Sequence, residues 1–300
     1  MFKNRLFYLS NSDYGGWVSF TYHLANLLQE DSVIKIKPTL KGGGTFYGNV
    51  RYFNVPKEVI KKFEQPIITA VDKAHYQYLR LFKNPIIVIH DPTELSEEML
   101  QIAKTNKVIT IRESVHNLLL SLGINNQFLK HPFYKYKKEK GNNAINRSLS
   151  RVDFDKNTHI ICKANNLGAG IEIYGYKNHI YYFHKLKELG FDSQYKGYYS
   201  KKINDISSLY ANTKYLVDLS TIKQDGGGTQ YTFLEAEYHH CGLILHKDWC
   251  NVPNSVYRNG ENCHTIADEH ELLEAINKPI LKSNLVPTEE ENNKWIKLCK

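Results

Sequence analysis

The stretch Asp225, Gly226, Gly227, Gly228 and Thr229 is where the residue types of this chain point most plainly to chemistry. Three successive glycines let the main chain bend sharply and approach a ligand closely, because glycine meets no steric penalty at positive φ. The residues that follow predict a helix, with Tyr231, Leu234, Ala236, Tyr238 and Cys241 as its apolar contacts and Gly242 as its stop. A glycine loop feeding a helix N-terminus offers unpaired N–H groups and the positive end of the helix dipole, which is the physics of an anion site. The expected ligand is a phosphate, and the competing reading is a plain tight turn between strand and helix.

Two further places hold residues suited to chemistry. His90 and Asp91 open the string H-D-P-T-E, where a predicted strand gives way to a helix. In open α/β sheets, ligand groups gather beyond the carboxyl ends of strands, so both are candidates for contact with substrate. Asp91 or Thr93 could equally cap the helix. Gly15 and Gly16 lie in N-S-D-Y-G-G-W, between the first strand and a helix. Strand, glycine turn and helix form the opening half of a nucleotide-fold unit, although the run is not G-x-G-x-x-G. The turn is expected to face a cleft, with a simple βα connection as the alternative.

The elements that must position these residues alternate along the whole chain. In the first half, strands are predicted at 5–10, 32–37, 66–71, 85–90 and 107–112, and helices at 18–28, 72–82 and 114–122. Pro56 marks a further helix start, and the segment 41–50 reads as a flexible loop. Strands rich in Ile and Val without polar alternation imply burial on both faces, the signature of a parallel sheet. Residues 134–143, polar and basic, read as an interdomain linker or as a contact for nucleic acid. The second half restarts the alternation, with strands at 171–174, 194–196, 215–220 and 243–245 and helices at 158–165, 178–189, 204–212, 267–277 and 289–299. The fold class is therefore α/β, with two facing Rossmann-like domains and a central cleft. The expected boundaries are 1–133 for an acceptor-side domain, 134–143 for the linker, 144–285 for a nucleotide-sugar-binding domain and 286–300 for a closing helix.

Composition sets outer limits. The 300 residues, 42% of them hydrophobic, allow two domains of ordinary size. The mean hydropathy is −0.47, and no apolar run reaches the roughly eighteen residues of a membrane span. The first ten residues read as a strand and not as a signal peptide. Five scattered cysteines without a C-x-x-C pair suit a reducing, cytoplasmic setting. A zinc site from Cys241, Cys250, Cys263 and His264 has spacings that match no common pattern. The net charge of +8 favours an anionic partner such as a nucleotide, nucleic acid or acidic glycan, although a solvated lysine-rich surface also explains it.

The second half resembles the donor-binding domain of GT-B fold glycosyltransferases, in particular the large retaining family that includes glycogen synthases; phage DNA glucosyltransferases share the fold, so a viral type belongs to the same group. The resemblance rests on order: Arg151 and Lys156 after a strand, then Y-K-G-Y-Y, S-S-L-Y-A-N-T-K-Y-L-V-D-L-S, the glycine loop, L-E-A, and C-G-L-I-L. It implies that Arg151 and Lys156 hold a donor diphosphate, that the loop amides of Gly226 to Gly228 add hydrogen bonds, and that Glu235 binds the ribose. Two departures stand out. The family pairs two glutamates eight positions apart, and the position eight before Glu235 is Gly227, so Asp225 or the loop backbone would take over sugar binding. L-E-A to C-G is also two residues longer than usual, so Glu237 competes with Glu235; on a helix the two point to nearly opposite sides.

The resemblance implies a retaining hexosyltransferase that uses a nucleoside-diphosphate sugar, expected to be a UDP-sugar, with no cofactor and no metal. The acceptor is either a hydroxymethylated DNA base, which a duplex would have to flip out, or a glycan. Asp153-Phe154-Asp155 is a D-x-D triplet that suggests manganese, but it lies inside the Arg151/Lys156 pair, where metal-independent enzymes bind diphosphate. A non-catalytic binder on the same scaffold, or a GT-B epimerase or phosphorylase, are the alternatives, and oligomeric state is not written in the sequence.

Overall fold

The computed structural model describes residues 6–12, 15–30, 32–36, 43–47, 50–53, 57–199, 203–222, 228–253 and 255–298. Two compact units result: Met1–Lys135 with Gly228 and Pro287–Lys300, and Tyr136–Lys223 with Thr229–Val286. Asp225, Gly226, Gly227 and Pro56 lie outside the described residues. Among the described residues, no helix is long and apolar enough to cross a membrane.

The first unit is built on eight strands: β1 (Leu6–Leu9), β2 (Ser32–Lys35), β3 (Gly43–Tyr47), β4 (Val50–Phe53), β5 (Ile67–Val71), β6 (Ile86–Ile89), β7 (Lys107–Thr110) and β8 (Gln127–Phe128). Their order is β3-β4-β2-β1-β5-β6-β7-β8, and every neighbouring pair is parallel except β3 and β4. The strands L-F-Y-L, I-I-T-A-V and I-I-V-I are buried along their whole length, as expected where helices cover both faces of a parallel sheet. The segment expected to be a loop at 41–50 instead contributes the β3–β4 hairpin at the sheet edge. T-F-Y and V-R-Y-F are strong strand formers, and their propensity overrides the flexibility suggested by the preceding glycines.

The C-terminal helix Glu289–Leu298 belongs to this first unit. Thr288 and Glu291 close its start reciprocally: the Glu291 N–H donates to the Thr288 hydroxyl at 3.3 Å and the Thr288 N–H to the Glu291 carboxylate at 2.8 Å. Trp295 is fully buried, meets Phe20 edge to face at 5.5 Å, and donates its indole N–H to the Lys130 carbonyl at 2.8 Å. The Asn292 amide takes up both main-chain groups of Phe133, accepting at 3.1 Å and donating at 2.9 Å.

The second unit is a six-stranded, wholly parallel sheet of β9 (Ile145–Leu149), β10 (Glu172–Tyr174), β11 (Tyr195–Gly197), β12 (Thr213–Asp218), β13 (Gly242–His246) and β14 (His264–Ile266). Its order, β11-β10-β9-β12-β13-β14, is the 3-2-1-4-5-6 arrangement of the dinucleotide-binding fold. The direction of winding therefore reverses between β9 and β12, and sheets of this kind take their ligands beyond the carboxyl ends of the strands at such a point. The helix expected at 178–189 is a succession of short turns instead, with a π-helical stretch at Tyr182–Leu186, and it stops at Gly190 in the left-handed conformation. The helix expected at 72–82 is likewise two short turns, Lys73–His75 and Tyr76–Leu79. Gly175, just after β10, has φ +131°, and a Cβ there would sit 1.8 Å from the Ser150 carbonyl oxygen. Only glycine lets the two strand ends meet so closely.

Trp295→Ala is expected to cost about 3–5 kcal/mol in denaturant unfolding, and Asn292→Ala about 1–3 kcal/mol because it strands two buried main-chain groups. Gly175→Ala should push the turn at Ser150 and Arg151 outward and lower stability by about 1–3 kcal/mol, measured by thermal unfolding.

Candidate functional site

The carboxyl edge of the second sheet gathers several of the predicted residues. After β9, the chain runs through Ser150 and Arg151 into a short turn at Phe154–Lys156, passes Asn157 in a left-handed conformation (φ 47°), and enters the helix Thr158–Asn166. Bonds across the reversal point hold this turn: the Asn157 amide donates to the Leu219 carbonyl at 2.9 Å, and the Thr221 N–H donates to the Asp155 carbonyl at 2.9 Å. Lys156, 11% exposed, places its ammonium 3.7 Å from the carboxylate of Asp218, which is 2% exposed at the end of β12. Asp218 also accepts from the Ser220 N–H at 3.0 Å and from the Ser220 hydroxyl. Burying a carboxylate this deep is costly unless a cation and hydrogen-bond donors face it, and Lys156 and Ser220 do so.

Arg151 is about half exposed, and its guanidinium fork is occupied: one nitrogen lies 2.8 Å from Asp153 and another 2.8 Å from Asp155. The D-x-D carboxylates thus face an arginine rather than an open coordination site. Asp153 further accepts from the Phe154 N–H at 2.8 Å and from the Asn178 amide at 2.9 Å. Among the described residues no group of three His, Cys, Asp or Glu side chains is disposed to hold a metal ion. Of the cysteine and histidine set, Cys241 points to the Tyr210 carbonyl at 3.4 Å, Cys250 and Cys263 face each other at 4.0 Å, and His264 bonds the Pro279 carbonyl at 2.9 Å.

Of the glycine loop, Gly228 (φ +92°) and Thr229 are described. The Thr229 hydroxyl receives a hydrogen bond from buried Tyr257 at 2.9 Å. The helix Tyr231–Tyr238 follows, and the side chain of its N-cap residue, Gln230, makes no capping hydrogen bond. Glu235 is 2% exposed on that helix, with Tyr210 and His239 among the groups that feel its charge. Glu237 is committed elsewhere: its carboxylate accepts from the Ser283 hydroxyl at 2.6 Å and from the N–H groups of Leu285 at 2.6 Å and Val286 at 2.9 Å. Around β9 to β11, Tyr199 donates to the Leu149 carbonyl at 3.1 Å and Tyr195 to the Gly175 carbonyl at 2.6 Å, lacing the strand ends together.

In the first unit, Gly15 (φ +96°) forms the cap of the helix Gly16–Leu27 without a side-chain hydrogen bond. His90 is buried just beyond β6, and its Nε2–H points to the Thr69 carbonyl at 2.7 Å. Burial pushes its pKa down to about 4, so the ring is neutral at ordinary pH and Nδ1 is its acceptor nitrogen. Asp91 accepts from the N–H of Thr93 at 2.9 Å and from its hydroxyl, the capping role that competed with a catalytic one. Glu94 was not legible as special in the sequence. It is 8% exposed, accepts from the Trp17 indole at 2.9 Å and from the His90 N–H at 3.1 Å, and burial raises its pKa to about 8. Asp218 was passed over too, although its place at a strand end beside the reversal point is the signal that could have found it.

No family model and no curated protein matches the sequence. Solved structures do match, over most of both chains. HepE of Anabaena, in complex with UDP and glucose, superposes with a TM-score of 0.62 at 14% identity, covering 91% of this chain and 89% of that one. A glycosyltransferase from Rickettsia africae gives 0.60 at 13% identity, covering 92% and 88%. An alpha-glucosyltransferase in complex with UDP and a 13-mer DNA containing a HMU base gives 0.57 at 13% identity, covering 98% and 90%. Identities this low carry the architecture and not the substrate. With its two Rossmann-like units and these structural neighbours, the chain has the GT-B fold of glycosyltransferases.

Proposed function

We propose that this chain is a glycosyltransferase that transfers a hexose from a UDP-sugar. The observation that carries the reading is the group of residues at the reversal point of the second sheet. There Lys156 is held by Asp218, Arg151 lies in the same connection after β9, and the helix Tyr231–Tyr238, whose N-cap residue Gln230 makes no side-chain capping bond, follows β12. Fixed cations and aimed N–H groups suit a leaving nucleoside diphosphate, which gains charge as the anomeric bond breaks; they stabilise the transition state more than the ground state. Lys156 provides a preorganised point charge. Arg151 would exchange its bonds to Asp153 and Asp155 for forked contacts with phosphate oxygens. The reading calls for no metal ion, because Lys156 and Arg151 themselves supply the positive charge that a diphosphate needs.

In the first unit, His90 and Asp91 are the groups assigned to the sugar or acceptor. Neutral His90, with Nε2–H spent on Thr69, has Nδ1 to accept from a hydroxyl. Glu235 is assigned to the donor ribose, since Glu237 is engaged by the segment from Ser283 to Val286. Retention at the anomeric carbon, and an acceptor that is either a hydroxymethylated DNA base or a glycan, complete the proposal. The basic balance of the chain, +8, supports an anionic acceptor such as DNA.

A panel of UDP-, GDP- and ADP-sugars, with free nucleotide as the readout, tests this reading. One UDP-sugar is expected to release UDP slowly without acceptor, in EDTA as in magnesium. Lys156→Ala and Arg151→Ala should each lower that rate by about 10²–10³-fold. Absence of both release and a thermal shift with every donor would defeat the proposal. Glu235→Ala should weaken UDP binding, whereas Glu237→Ala should lose about 1–3 kcal/mol of stability and leave UDP affinity near the parent value. Equal effects of the two on binding would overturn the assignment of the ribose contact.

A further inference from the structure

A hydrogen-bonded bridge in the first unit joins two segments that are far apart in sequence. Trp17 follows the Gly15–Gly16 turn beyond β1, and His90 follows β6, two strands away in the sheet. The Glu94 carboxyl spans them, with Oε1 accepting from the Trp17 indole at 2.9 Å and Oε2 from the His90 main-chain N–H at 3.1 Å. The His90 ring is then wedged between Phe20, 4.7 Å away and edge to face, and Trp17, at 6.2 Å. Its far nitrogen is fixed by Thr69. The main chain of Glu94 is itself tethered, since its carbonyl accepts from Tyr76 at 3.5 Å. Among the described residues this deep carboxyl has no cationic partner in hydrogen-bond contact, and its two oxygens hold the first turn of the helix Gly16–Leu27 and the end of β6.

We propose that Glu94 is the positioning residue of the transfer site: its carboxyl ties the glycine turn after β1 to His90 after β6 and sets the geometry in which His90 meets the transferred sugar. This rests on the transferase reading given above. A site whose reacting groups must be held to within a fraction of an ångström depends on such supports as strongly as on the groups that touch substrate.

The bridge is also sensitive to pH. Burial is the main reason that the Glu94 carboxyl keeps its proton up to about pH 8, Asp91 beside it adds to the effect, and the His90 N–H, the Trp17 indole and the charge of Arg112 oppose it. His131, buried near Arg112 and His90, is held neutral by the same surroundings. Glu94 is thus uncharged at neutral pH, and ionisation would set a second negative charge next to Asp91. The native state binds this proton more tightly than the unfolded chain, whose carboxyl titrates near 4.5. Stability from this group is full below that value and is lost as pH rises through about 8.

The test uses the full chain with Glu94→Gln, Glu94→Ala and Trp17→Phe. Wild-type tryptophan emission should titrate with a midpoint near 8, and that titration should vanish in all three variants. The kcat for the donor identified above should fall about a hundredfold in Glu94→Ala, with the affinity for UDP unchanged. The wild-type rate should decline above pH 8; Glu94→Gln, which cannot ionise, should lose less kcat than the alanine variant and show no such decline. An emission titration that persists in Glu94→Gln overturns the bridge. A kcat retained in Glu94→Ala by an otherwise active protein overturns its role in positioning. A wild-type chain inert toward every donor instead defeats the transferase reading, and is recognised because no substitution is needed to see it.

Discussion

The contact between Lys156 and Asp218 governs the second unit. Asp218 ends β12 in a place from which water is nearly excluded, and its charge is tolerable only because Lys156 and the Ser220 donors surround it. Lys156 is in turn kept rigid because the turn that carries it is bonded to β12 through Asn157 with Leu219 and Thr221 with Asp155. The two strands involved are the pair between which the winding of the sheet reverses. A fixed cation at that point is a feature that a generic βα connection does not provide and that would suit the proposed diphosphate.

The neighbouring residues follow from this constraint. Gly175 lacks a side chain because the turn after β10 must pass against Ser150, immediately before Arg151. Tyr195 and Tyr199 give their hydroxyls to carbonyls at the same strand ends and so keep the edge from fraying. Trp249 donates to the Ser220 carbonyl at 3.0 Å and packs on Phe233 and Tyr257, which connects the strand end after β12 to the helix that carries Glu235. Each of these uses a buried polar group that would be costly if left unpaired.

The first unit depends on burial more than on charge. His90 is neutral because it is enclosed, and Glu94 is neutral for the same reason, so two titratable groups with opposite habits are both uncharged near pH 7. The C-terminal helix completes that enclosure. Trp295 covers Phe20, which touches His90, and Asn292 satisfies the main chain at Phe133, whose ring stacks on His23 at 4.6 Å.

By itself the sequence determined the alternation of strands and helices, the largely parallel character of the sheets and the strand-end placement of His90 and Asp91, because hydrophobic periodicity and glycine punctuation are local signals; β9, I-N-R-S-L, lacks that periodicity, and only the resemblance placed Arg151 and Lys156 after a strand. Only the tertiary structure decided which side chains meet. Trp17 and Glu94 are 77 residues apart and Asn157 and Leu219 are 62 apart, and no local pattern encodes strand order or register. The same holds for Arg151, which the resemblance assigned to a ligand and which the fold of its own turn pairs with Asp153 and Asp155. It holds for Glu237, distinguished from Glu235 only when the segment from Ser283 to Val286 comes to rest on it. The hairpin at residues 43–53 and the broken helix after Asn178 were misjudged for a related reason: glycine flexibility and apolar spacing are weak preferences that sheet-edge pairing and packing override.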